Sequence, residues 1–127
     1  MPIEFVAGDL FDNAFDAQAF GHGCNCQGSM GAGIAKGFKQ RYPDMYEEYR
    51  ARCKAKPRRF SLGDAWLWKE KRQPWVFNLA TQERYWHARA SYDAIDMALR
   101  RMKDQADSEG ISCIAIPRIG VGYGGLS

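Results

Sequence analysis

The chain has 127 residues, 46% of them hydrophobic and 26% charged, and 18 basic against 15 acidic residues give a formal net charge of +3. That is the composition of an ordinary soluble globular domain, long enough for one core without disulfides or metals. The small positive excess suits an anionic ligand but does not by itself predict nucleic-acid binding.

The N-terminus, Met1-Pro2-Ile3-Glu4, has no basic region before an apolar core, so it does not read as a signal peptide. No apolar run is long enough to span a membrane. The four cysteines, Cys24, Cys26, Cys53 and Cys113, fit no common zinc spacing. Free thiols in a reducing cytoplasm are expected, with no metal and no cofactor.

Ile3 to Ala7 alternates and ends at Gly8-Asp9, a first strand and turn. Ala17 to Gly23 reads as a second, buried strand. A glycine-rich turn follows at Gly28 to Gly33, and Ala32 to Arg41 reads as a helix stopped by Tyr42-Pro43. Asp44 can cap the next helix, Met45 to Lys54, in which Tyr46 and Tyr49 face one way. Lys54 to Arg59 is a basic connector, read first as a solvated turn, with nucleic-acid binding as the other reading. Gly63 to Trp68 and Trp75 to Ala80 read as strands, the second apolar throughout as in a central strand. Thr81 to Ala90 reads as a loop. Ser91 caps a helix whose inner face is Ile95, Leu99 and Met102, and Gly110 ends it. Ile111 to Ile116 is another buried strand, closed by Pro117. A second glycine-rich loop, Gly120-Val121-Gly122-Tyr123-Gly124-Gly125, follows. Helices returning between strands predict a three-layer α/β/α sandwich, with ligands outside the carboxyl ends of the strands.

The chemistry concentrates at His22-Gly23-Cys24-Asn25-Cys26-Gln27-Gly28-Ser29-Met30-Gly31-Ala32-Gly33-Ile34. A strand entering a glycine turn that opens a helix gathers free N–H groups at the positive end of the helix dipole, a cradle for phosphate. The turn matches neither common phosphate-loop pattern, and glycines serve tight turns as often. The second loop allows a diphosphate to be clasped from two sides. His22 reads as a buried, hydrogen-bonded strand residue or as an acid, base or anion partner. Asn25 can bond neighbouring backbone, hold a sugar hydroxyl or orient a water. Cys24 and Cys26 read as small buried residues rather than nucleophiles. Trp66, Trp68 and Trp75 read as core, whereas Tyr85, Trp86 and above all Tyr123 lie in loops where an aromatic can stack on a base or ribose. Asp9 reads first as a turn residue or helix cap.

Three segments together resemble the macrodomain family, the ADP-ribose-binding modules: Gly8-Asp9-Leu10, Cys24 to Ala35, and Ile116 to Leu126. Within it the chain is similar to the branch of terminal ADP-ribose protein glycohydrolase, DarG-type DNA-ADP-ribose antitoxins and yeast-type ADP-ribose-1″-phosphate phosphatases. The His-x-Cys-Asn-Cys run is nearest the phosphatases. The resemblance implies a mixed central sheet and one macrodomain over residues 1–127. A macrodomain continues past the second glycine loop with a helix and a strand. This chain stops at Ser127, so the fold is expected to lack both, and a second copy can cover the surface left open.

The resemblance also assigns roles. Asp9 accepts from the adenine amino group, with Leu10 adding backbone contact. Gly28, Met30, Gly31, Gly33 and Ile34 hold the distal ribose and a phosphate. Gly120, Val121, Gly122, Tyr123 and Gly124 hold the diphosphate from the other side, and Asn25 faces the distal ribose. The partners implied are ADP-ribose and ADP-ribosylated protein or nucleic acid. The glycohydrolases of the branch use a lysine after the fourth strand and, in some, an aspartate in the second loop; Gln82 and Gly124 stand there here. A lysine and aspartate mechanism is therefore not expected. What remains is a hydrolase with His22 and Asn25 as catalytic residues, phosphatase-like, or a reader that binds ADP-ribose without turning it over.

Overall fold

The computed structural model describes residues 8–84 and 92–118. Among the described residues, four strands form one mixed sheet in the order β2-β3-β1-β4: β1 (Ala19–Asn25), β2 (Ala65–Trp68), β3 (Trp75–Gln82) and β4 (Ile114–Ala115). β1 runs parallel to both β3 and β4, whereas β2 pairs with β3 antiparallel. Helices α1 (Gly33–Arg41) and α2 (Pro43–Lys54) cover one face, and α3 (Tyr92–Glu109) covers the other, which makes the three layers.

Alternation along β1 and β3 explains the two cores. Phe20, Cys24, Val76 and Ala80 face α1 and α2, where Phe38, Met45, Tyr49 and Cys53 are buried against them. Ala19, Phe77 and Leu79 face α3. α3 lies so close that a Cβ on Gly21 would stand 3.3 Å from Met102 Sδ. Only small residues allow this approach, and the buried stripe of α3 is accordingly Ala94, Ala98, Met102 and Ala106. This corrects the expected inner face: of Ile95, Leu99 and Met102, the first two are only half-buried.

Several expected boundaries shift. β1 continues through Cys24 and Asn25, and β3 takes in Thr81 and Gln82, which were expected in a loop. β4 is shorter than the Ile111 to Ile116 expected. Asp44 is not the cap of α2: the helix starts at Pro43, whose missing N–H and fixed φ suit a first helical position, and Asp44 lies in the first turn, where a carboxylate favours the dipole. Trp66, Trp68 and Trp75 are half-buried and pack against the two cores, Trp66 and Trp68 on the α1 and α2 side and Trp75 on the α3 side. The strand expected at Ile3 to Ala7, the Ser91 cap, Tyr85, Trp86 and the loop Gly120 to Gly125 lie outside the described residues.

Candidate functional site

β1 and β3 end side by side, and the chain leaving β1 forms the glycine-rich turn that opens α1. Gly28 has φ +89° and Gly33 has φ +61°, so both occupy the left-handed region that favours glycine. Gly28 is also closed in: a Cβ there would meet Arg50 and Cys53 of α2 at 3.5 Å. Gly31, Gly33 and Ile34 are exposed on the rim, whereas Met30 is buried.

The start of α1 carries no side-chain cap. Its N-cap is Ala32, in extended conformation. The N–H groups of Met30, Gly31 and Ala32 meet no acceptor among the described residues. A helix start leaves four such donors, and a side chain, water or ligand must satisfy them. The turn lies at the carboxyl end of the central strands, beside the start of α1.

Asn25 organises this turn from within. Its Oδ1 accepts from Gln27 N–H at 3.0 Å and Ser29 N–H at 3.4 Å, while its Nδ2 donates to the Ser29 carbonyl at 2.8 Å. The Tyr49 hydroxyl lies 2.9 Å from the same Oδ1 and 2.8 Å from the Asn25 carbonyl oxygen. A bulge makes this possible. Cys24 pairs with Ala80 but Asn25 with Gln82, so the register slips past Thr81 and Asn25 leaves the strict alternation. The backbone-bonding role is thus the one the structure displays, with both ends of the amide engaged inside the loop.

His22 is completely buried. Its ring stacks on Phe38 with centroids 3.9 Å apart, and its Nε2 donates to Asn78 Oδ1 at 2.8 Å. Asn78 in turn donates to the Trp66 carbonyl at 3.3 Å. Burial lowers the His22 pKa to about 4, against the opposing pull of the Asn78 hydrogen bond. A neutral imidazole enclosed in the α1 side of the core has no open path to a ligand on the rim. Of the two readings of His22, the buried, hydrogen-bonded strand residue is the one its surroundings display.

The thiols follow the same logic. Burial pushes Cys24 upward, Cys26 to about 12 and Cys53 to about 11, so all three are protonated at neutral pH and none is a ready nucleophile. Gln82 donates through Nε2 to the Arg84 carbonyl at 2.6 Å, along the rim rather than toward the turn. Asp9 caps a short 3-10 turn, Leu10–Asp12, with Oδ1 accepting from Phe11 N–H at 3.0 Å. It is exposed, and Leu10 beside it packs against the first core.

Three residues important to this arrangement were not singled out from sequence for these roles. Tyr49 ties the turn to α2, Asn78 holds His22, and Glu83 anchors the turn by accepting from Cys26 N–H at 3.1 Å. Only Asn78 had a legible signal, as a polar residue inside an otherwise apolar strand. The separate groove beside β2, lined by Arg52, Arg59, Trp66 and Arg101, contains none of the expected ligand-binding residues.

Comparison with known proteins identifies the family and the fold. The family model for the Macro domain matches residues 22–127. The DNA ADP-ribosyl glycohydrolase of Mycobacterium tuberculosis is 33% identical over 128 residues, covering 98% of this chain and 35% of that protein. The ADP-ribose 1″-phosphate phosphatase of Aspergillus oryzae is 55% identical over 51 residues, 40% of this chain and 25% of the other. The solved macrodomain of Mycobacterium tuberculosis DarG superposes with a TM-score of 0.85 at 32% identity, over 97% of this chain and 80% of that one. The fold is therefore the α/β sandwich of macrodomains, with a mixed sheet. The chain belongs to the Macro domain family. It spans between a quarter and about a third of the length of the two curated relatives. Among the described residues, no helix is long and apolar enough to cross a membrane.

Proposed function

We propose that this macrodomain binds ADP-ribose in the turn between β1 and α1 and acts as a hydrolase on its derivatives, ADP-ribose-1″-phosphate or ADP-ribosylated macromolecules. The observation that carries the reading is the uncapped start of α1, where the N–H groups of Gly31 and Ala32 stand without acceptors among the described residues. A diphosphate supplies the missing acceptors, and the turn's left-handed glycines let it approach the backbone. The names of the relatives support the two substrate classes.

The chemistry open to this site is electrostatic. A water attacks the anomeric carbon and breaks its bond to the attached group, or attacks the 1″ phosphorus and breaks its bond to the anomeric oxygen; the proton the water sheds passes through solvent to the departing atom, and the fixed N–H groups stabilise the negative charge that develops. Asn25 contributes by holding those donors in place, as a positioning residue. His22 serves the same end from below by fixing Phe38 and hence the first turns of α1. A second reading, a non-catalytic ADP-ribose reader, is favoured by the enclosure of His22 and by Gln82 in place of the lysine.

Calorimetry with ADP-ribose tests binding. Incubation with ADP-ribose-1″-phosphate and with ADP-ribosylated DNA and protein tests turnover. Absence of a heat signal at millimolar ADP-ribose overturns the site. Binding without product from any of the three substrates selects the reader.

A further inference from the structure

Ten consecutive residues, Arg50 to Arg59, hold six basic side chains and no acidic one. The chain carries +3, so this stretch at +6 leaves the other 117 residues at −3. Its basic charge is concentrated in one place rather than interspersed, which solubility alone does not require. The stretch forms the last part of α2 and the connector behind it.

The connector folds back onto the helix. Arg59 N–H donates to the Arg52 carbonyl at 2.9 Å, and Ala55 N–H to the Ala51 carbonyl at 3.0 Å. It is also tied to the turn of the candidate site at two points. Arg58 forms a two-pronged ion pair with Glu83, whose carbonyl receives Cys26 N–H. The Arg50 stem lies against Gly28, with Cγ 3.5 Å from the place of a glycine Cβ. The basic strip thus lies beside the ligand turn and is held to it near both of its ends.

Three of the six have other employment. Arg58 is held by Glu83, and Arg52 lies over the Trp66 ring at 4.5 Å and near Glu48 at 3.5 Å. Lys54 sits in the last turn of α2, where a cation offsets the helix dipole. Arg50, Lys56 and Arg59 have neither role. These three and Lys54 are exposed, and none has a carboxylate partner among the described residues. Like charges held together at this density raise each other's energy until an anion arrives.

We infer that the strip from Arg50 to Arg59 is a docking surface for the phosphodiester backbone of a nucleic acid, which leads an ADP-ribosyl group on that strand into the turn between β1 and α1. The inference deepens the proposed function and rests on it for the second half of that statement. A strand carries one charge per nucleotide at regular spacing and so matches a row of separate cations. A membrane surface is a poorer match, because the apolar residues interleaved with the exposed cations are the small Ala51 and Ala55, Pro57 and the buried Cys53, with no large apolar side chain to insert.

Fluorescence anisotropy with an unmodified 20-nucleotide single-stranded DNA tests the surface. The chain should bind it with a logarithmic affinity that falls linearly with the logarithm of salt. The triple variant Lys54→Gln, Lys56→Gln, Arg59→Gln should lower that slope by about 2 and weaken binding on the order of a hundredfold at 0.1 M salt. A variant at Arg100→Gln and Lys103→Gln, on α3, should bind like the parent chain. Calorimetry with ADP-ribose should be unchanged in the triple variant, which also shows that it folds. Unchanged DNA affinity in the triple variant overturns the surface. So does equal affinity of the parent chain for a polyglutamate peptide or for vesicles with 30% anionic lipid. Loss of ADP-ribose binding in the parent chain, with DNA binding intact, would sink the proposed site and leave the surface standing.

Discussion

The imidazole of His22 lies flat on the Phe38 ring, with 3.9 Å between centroids and 23° between planes. β1 and the first helix of the ligand turn are thereby joined through a group that must stay uncharged. The folded chain holds this histidine at about pKa 4, below the ordinary 6.5, because burial opposes the imidazolium. The unfolded chain therefore binds the extra proton between these two values. Stability from this group is fully present above pH 6.5 and is lost as the pH falls toward 4.

The first prediction follows from that sign. Between pH 7.5 and pH 5 the chain should lose about 2 kcal/mol of unfolding free energy through His22 alone. Urea denaturation at a series of pH values measures it. His22→Gln should be less stable at pH 7.5 yet nearly flat over the interval. A variant that keeps the full slope would show that another group is responsible.

The second concerns Asn25 and Tyr49. Both Gln27 N–H and the Tyr49 hydroxyl converge on Asn25 Oδ1, at 3.0 and 2.9 Å. Asn25→Ala removes an acceptor and leaves buried donors unpaired, at a cost of about 1–3 kcal/mol. Tyr49→Phe should cost about 1 kcal/mol and weaken ADP-ribose in the same direction. If Asn25 acts by holding the turn, the two effects on affinity couple in a double-mutant cycle, the pair losing less than the sum. Additive losses would instead place Asn25 directly on the ligand.

The third separates two uses of Asp9. One carboxylate oxygen caps the turn by accepting from Phe11 N–H at 3.0 Å, and the proposed site gives the other to the adenine amino group. Asn has a single acceptor oxygen. Asp9→Asn should keep the cap and therefore the stability, yet weaken ADP-ribose. Asp9→Ala should lose both, with about 1 kcal/mol of stability. Ribose 5-phosphate, which has no adenine, should bind all three chains alike. An Asn variant with parental ADP-ribose affinity would confine Asp9 to the cap.

How far the sequence reveals this molecule depends on the range of the interactions. The strand, turn and helix around Gly28 to Gly33 were legible because glycine chemistry and apolar periodicity act locally. The role of Asn25 was open, since it depends on the slipped register at Thr81 and on Tyr49, 24 residues away. His22 was ambiguous for the same reason. Its neighbour in sequence is a phosphate turn, but its neighbours in space are Phe38 and Asn78. The inner face of α3 was misread because larger apolar residues were assumed to point inward. A helix lying close over Gly21 buries alanines and leaves Ile95 and Leu99 at the margin.

The fourth prediction tests packing behind the turn, at Gly37. Helix propensity alone makes Gly37→Ala stabilising by about 1 kcal/mol. Packing opposes this, because an added Cβ would stand 2.7 Å from Phe11 Cε2 and 3.2 Å from its Cζ. The Phe11 ring is held by Phe38 at 4.8 Å, by Phe20 at 5.8 Å and by the Arg41 guanidinium at 3.9 Å, so it cannot simply turn away. Overpacking of this kind costs about 1–3 kcal/mol, and the net effect should be destabilising. Because Phe11 N–H is bonded to Asp9, the displaced ring should also disturb the adenine end and weaken ADP-ribose. Adding Phe11→Leu should relieve the clash, leaving the double variant more stable than the two single losses predict by about 1 kcal/mol. Urea midpoints of the four chains decide the matter, and a stabilised Gly37→Ala would mean that Phe11 has room to move.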